Sequence, residues 1–249
     1  MDKPFSVNET IATAWEVAKK NIWIVMGFTA VQFVIMFIFS SILAVFFGER
    51  SAAGTLLQNI IIQLADAFIA VAMYQVFFKL IDDEVDIEFP DFVPNVMRAL
   101  NFLLVKLIMG VIAVLIISAI AAVYFYNTPI SKPSETFSWE MLPILILIAI
   151  PIFYMSIRLF FVLCFIVDQE SGATESISQS WTLTSGHFWS LVWLFLLILG
   201  INILGALAFF VGLLFTIPFS SLILMIAYRQ MVNQYTEEEE ILIENQDKH

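Results

Sequence analysis

Glu9–Trp23, ETIATAWEVAKKNIW, and Glu175–Trp189, ESISQSWTLTSGHFW, set Glu, Ile, Trp and Trp on the same offsets, each directly before a long apolar run. On a helix turning about 100° per residue, Ile11, Trp15, Ala18 and Ile22 share one face, and Glu9, Thr13, Glu16 and Lys20 share the opposite one. In the second copy Ile177, Trp181, Thr184 and Phe188 form the apolar side, with Glu175, Gln179, Thr182 and Gly186 opposite. Each copy reads as an amphipathic helix lying at a membrane interface. Trp15, Trp23, Trp181 and Trp189 are its expected anchors, at the boundary where indole rings prefer to sit. Ser6, with Glu9 three residues on, is expected to cap the first copy.

The rest of the chain fits that environment. Of 249 residues 61% are hydrophobic and 13% charged, and the mean hydropathy is +0.92, far above the need of a water-soluble domain. Ile22–Phe47 is too long for a signal-peptide core and lacks a cleavage site, so the N-terminus is expected to be retained. Cys164, the one cysteine, lies in an apolar run and reads as a packing residue.

Spans are expected over Ile22–Phe47, about Leu56–Ile81, the stretch up to about Tyr126, and Met141–Val167, with two more in Phe188–Tyr235 around a tight turn near Gly212. Turns are expected at Gly48–Gly54 and Asn127–Glu140. Pro151 is deep enough in span four to remove a backbone hydrogen bond and kink it, and Pro218 falls early in span six. A weaker third copy of the surface helix places Val96, Leu100, Leu103 and Leu107 on one face, with Pro94 in its first turn. Ile11, Val96 and Ile177 then stand 85 and 81 positions apart. The fold class is therefore all-α and polytopic: a single membrane domain over 1–235, with six transmembrane helices as three hairpins, each preceded by an interfacial helix. The repeat units are about 1–85, 86–170 and 171–235, and 236–249 is expected to be an acidic, disordered cytoplasmic tail.

Lys3, Lys19, Lys20, Lys79, Arg98, Lys106, Arg229 and Lys248 fall on one side, Arg50 and Lys132 on the other, and Arg158 within a span. The positive-inside rule assigns the first side, with both termini, to the cytoplasm.

From Arg158 the order Arg158, Val167, Asp168, Gly172, Ala173, Ser180, Trp181, Gly186, Trp189, then Pro218 and Tyr228, resembles a family of bacterial multi-span proteins. These are related to the membrane domain attached to some glycerophosphoryl diester phosphodiesterases, and the family includes stand-alone relatives of unassigned activity. The likeness covers roughly 155–232 and is architectural before that. It implies a six-span fold in the bacterial cytoplasmic (inner) membrane. The 249 residues contain no soluble phosphodiesterase domain, so it does not imply that hydrolase activity.

An ionisable group in a span costs about 2.5–3.5 kcal/mol on insertion scales and usually faces protein, which makes Arg158 and Asp66 the candidate intramembrane polar site, with Gln32 and Gln75 near the same path. Arg158 and Asp66 lie on opposite sides of their span centres, roughly 9 Å apart along the membrane normal, which a long Arg can mostly bridge. The alternatives are that Arg158 snorkels to the boundary and caps carbonyls or meets Asp168, while Asp66 bonds to Gln63 or Gln32. The acids from Asp82 to Asp91 lack calcium-loop spacing and read as a solvated connector, or else as a docking surface for a basic partner. Ser118 with Ala122, and Ala208 with Gly212, are spaced to let spans pack closely.

No HExxH, Gly-x-Ser-x-Gly, phosphate-cradling Gly loop or paired Cys occurs, and His187 and Ser156 have no positioned base. No enzyme activity, cofactor or metal is expected. A pI near 4.5 argues against nucleic-acid binding. The expected function is a non-enzymatic component that organises membrane lipids or partner proteins. The alternative is a small-molecule or lipid transporter with a polar path near Asp66 and Arg158.

Overall fold

The computed structural model describes residues 6–47, 52–84, 87–127, 142–208 and 211–247. Their regular elements are all helical: α1 (Val7–Lys20), α2 (Ile22–Phe47), α3 (Ala52–Ile81), α4 (Val96–Asn127), α5 (Leu142–Arg158), α6 (Val162–Asp168), α7 (Ala173–Leu183), α8 (Phe188–Leu207) and α9 (Leu213–Asp247), with a 3-10 turn at Phe89–Phe92. Six stretches are long and apolar enough to cross a membrane: Ile22–Phe47, Ala53–Ile81, Phe89–Val123, Leu145–Asp168, Phe188–Leu207 and Leu213–Thr236. By length and composition the chain is a multi-pass membrane protein. The expected turns at 48–54 and 127–140 lie largely outside the described residues, and Ala52–Gly54 already belong to α3.

Neighbouring spans pack in sequence, α2 on α3, α4 on α5 and α8 on α9. In the last pair Gly205 is where backbones meet, since a Cβ there would lie 2.3 Å from Thr216 Oγ1, and one on Gly212 would lie 2.6 Å from the Gly205 carbonyl. Asn202 Nδ2 donates across the same pair to Ser220 Oγ at 2.7 Å. The core gathers where α3, α6 and α9 converge, around Val71, Phe77, Phe161, Cys164, Leu222 and Tyr228. The outward faces of α2 and α4 stay apolar and exposed, as helices bathed in hydrocarbon should be.

The two opening stretches match in register. α1 begins at Val7 and α7 at Ala173, α2 at Ile22 and α8 at Phe188, each 166 positions apart. Ser6 Oγ accepts from the Glu9 N–H at 3.5 Å, and the Gly172 N–H donates to Glu175 Oε2 at 3.3 Å. The buried face is rotated from the expected Ile–Trp face. Of that face Ala18 and Thr184 are fully buried, joined by Thr10 and Ala14 and, at the same offsets, Ser176 and Ser180, while Trp15 and Trp181 sit on the flank. These residues are small, so the helix backbones approach other helices closely: α1 packs on α9, and α7 on α6 and α4.

No separate third surface helix forms, because α4 runs unbroken for 32 residues, leaving Val96, Leu100 and Leu107 exposed and burying Ala99 and Val105 instead. Asn21 ends α1 by bonding Val17 O with both its N–H and its side chain, and Gly186 turns the chain after α7 at φ +81°. At the corresponding positions α4 carries Val105 and Lys106, ordinary helix residues. Pro94 precedes the first turn; the cap is Asn95, whose Oδ1 accepts from Met97 N at 2.9 Å.

Span four is two helices rather than one. α5 continues through Pro151, and the chain breaks at Leu159–Phe161, between α5 and α6. Residues 236–247, expected to be disordered, continue α9 as helix, in keeping with the good helix formers Glu, Leu and Gln there.

Candidate functional site

At the charged end of the bundle Arg229 on α9 holds two other spans. Its guanidinium lies 3.0 Å from Asp82 at the end of α3 and 2.8 Å from Asp168 at the end of α6. The Tyr228 hydroxyl donates to Asp168 at 3.0 Å, and its ring packs among Phe78, Phe161 and Phe165. The acidic stretch after α3 is therefore not simply a solvated connector: Asp82 meets Arg229, Asp83 meets Lys20, and Glu84 and Asp91 both meet Lys79. Sequence reasoning missed this cluster because its partners lie up to 147 positions apart.

Arg158 sits at the span break, buried, with its guanidinium 4.4 Å from the centre of the Trp181 ring. A cation over an indole face is held by the ring quadrupole. Ending α5 at Arg158 frees its carbonyl, which accepts from Ser180 Oγ at 2.9 Å and Thr184 Oγ1 at 3.2 Å; Ser180 Oγ also accepts from Phe161 N at 3.3 Å. The buried hydroxyls of α7 thus repair the broken span. Tyr154 meets both Trp181 and Phe188 by ring contact. Trp23 and Trp189 stand outward at 87% and 76% exposure, while Trp15 packs edge-on against Phe215 and Phe219.

The expected polar path of Arg158, Asp66, Gln32 and Gln75 is not brought together. Asp66 pairs with Lys106 of α4, and Arg158 meets neither Asp66 nor Asp168. Gln75 Oε1 accepts from Asn95 N at 3.1 Å and so fixes the start of α4. Gln32 lines an apolar groove of about 620 Å³ between α2, α3 and the 3-10 turn, beside Phe28, Phe68 and Phe92. The signal that could have found the true partner is distance along the helix. Lys106 stands ten positions past the start of α4, about 15 Å at 1.5 Å per residue, too deep to count as a loop charge.

The Asp66–Lys106 pair joins two candidate spans well away from their ends, and Lys106 borders a second groove of about 640 Å³ between α3, α4 and the α5–α6 break. Gln63, Tyr74 and Ser156 supply its other polar groups, and Phe102, Met109 and Leu163 part of its apolar wall. Among the described residues no group of His, Cys, Asp and Glu is placed to hold a metal ion.

A family model described as "Protein of unknown function (DUF975)" matches residues 16–235, from the middle of α1 to the exposed part of α9. The chain belongs to that family. The match takes in α2–α4 and both grooves as well as the 155–232 stretch. No curated protein and no solved structure matches the chain.

Proposed function

We propose that the protein is a non-enzymatic component of the bacterial cytoplasmic membrane that organises lipids or partner proteins, with both termini and the Arg229 cluster facing the cytoplasm. The observation that supports this reading most is how the polar groups inside the spans are satisfied. Asp66 meets Lys106, Gln75 meets the start of α4, and Arg158 stacks on Trp181; these are separate contacts, whereas a permeation path needs one converging set. The grooves meanwhile are bounded by span helices and have largely apolar walls.

In this reading the chain is three units of two spans, the first and third led by a short helix. α1 lies on α9 and α7 on α6, so each lead helix rests on the last span of another unit, and the third unit closes on the first. α1 and α7 are amphipathic in that their packed faces are small while their Trp flanks meet the bilayer interface. Kinship with the membrane domain attached to glycerophosphoryl diester phosphodiesterases belongs to the same proposal, as does the absence of nucleic-acid binding.

The test is native mass spectrometry of protein extracted gently from its own membrane. Stoichiometric lipid or a co-purifying protein is the expected result. A bare chain with neither, alongside solute flux in reconstituted vesicles, would overturn the reading in favour of transport. That second reading draws on the Asp66–Lys106 pair at mid-span depth.

A further inference from the structure

We infer that the groove between α3, α4 and the α5–α6 break binds an amphiphile with an anionic, oxygen-rich head, a carboxylate or a phosphate, which enters sideways from the bilayer. The inference rests on the lipid-organising reading above and names its ligand. The groove holds about 640 Å³, room for a head and part of a chain. Its polar groups are chiefly donors. Lys106 carries three N–H bonds of which Asp66 occupies one side, and the Gln63 amide can donate. Tyr74 lines the groove too, and its hydroxyl can donate to a ligand oxygen there.

A ligand acceptor would give the Tyr74 hydroxyl a hydrogen bond that surrounding lipid chains cannot. Ser156 Oγ already donates to Ile152 O at 2.9 Å, so the donors left for the head are Lys106, Gln63 and Tyr74. The walls, Phe102, Met109 and Leu163 among them, suit an alkyl chain. Because the groove lies between spans, its ligand must already be dissolved in the membrane. Asp66 then has a defined place: it is the resident counter-ion of Lys106, and an incoming anion competes with it.

The competition predicts opposite signs for the two halves of the pair. The full chain is purified in mild detergent and offered palmitate, hexadecyl phosphate or hexadecanol, with occupancy read by native mass spectrometry. One palmitate or hexadecyl phosphate should bind per chain, and hexadecanol should not. The better of the two acids identifies the source as a fatty acid or a lipid phosphate. Lys106→Gln should lower occupancy about tenfold and Tyr74→Phe about threefold, whereas Asp66→Asn should raise it.

If Lys106→Gln fails to fold, the neutral double variant Asp66→Asn/Lys106→Gln takes its place and must bind as weakly. Equal binding of hexadecanol, or equal losses in Asp66→Asn and Lys106→Gln, would overturn the inference. Bound native lipid with no binding of either acid would sink the groove assignment and leave the lipid-organising reading standing. No lipid of any kind would sink both.

Discussion

The two ends of α3, α6 and α9 are built on different physics. At the charged end Tyr228 sits within a cage of three phenylalanine rings, and Arg229 beside it reaches the last acids of α3 and α6. Toward the other end the neighbouring span segments carry exposed Leu56, Ile60, Leu145 and Ile150. One end is a protein core closed by ion pairs; the other relies on hydrocarbon as its solvent. Stability should therefore concentrate at the charged end.

Tyr228→Ala attacks the closed end directly. It removes a fully buried ring and the Asp168 hydrogen bond, so a loss of about 3–5 kcal/mol is expected, seen as a large fall in detergent melting temperature. A melt unchanged within error would mean that the cage carries no stability. Ser180→Leu should cost about 1–3 kcal/mol, because it forces a larger side chain into the α5–α6 break and strips the Arg158 carbonyl and Phe161 N–H of their partner. Gly205→Val should cost a similar amount by pushing α8 from α9, measured by the same melt. Arg158→Leu should change stability by about 1 kcal/mol or less, since losing the Trp181 contact is offset by relieving a buried charge. At the outer face, Phe37→Ala and Val45→Ala, both on exposed positions of α2, should leave the melt within about 0.5 kcal/mol of wild type.

Much of this was legible in the chain. Hydropathy gives the spans, because a run of about 20 apolar residues has few other uses. The start of α1 is legible too, since Ser6–Glu9 carries a local capping signal. Which face each lead helix buries is only partly legible, with Ala18 and Thr184 on the expected face and the rest beside it. Hydrophobicity favoured Ile and Trp, whereas close helix contact selects by size, and Thr10, Ala14, Ser176 and Ser180 are small before they are polar. The candidate site failed for a related reason. Arg158 and Asp66 look like natural partners on span depth alone, but pairing also depends on which helices are neighbours. α4 lies against α3 and brings Lys106 to Asp66, while α7 brings Trp181 to Arg158. The Arg229 cluster joins the ends of α3 and α6 to α9 at once and leaves no local pattern to read.

The closed end depends on the first lead helix returning to the last span, where the buried Thr10 hydroxyl donates to Gln230 Oε1 at 2.6 Å. The most direct test is oxidative crosslinking of Thr10→Cys/Gln230→Cys in native membranes; Cys164 is buried and does not compete. A rapid intrachain disulfide, absent from Trp23→Cys/Gln230→Cys, is the result expected if the chain closes on itself at its charged end. Crosslinking only between separate chains, or none while the single variants fold and accept thiol reagent, would contradict that closure and the threefold arrangement built on it.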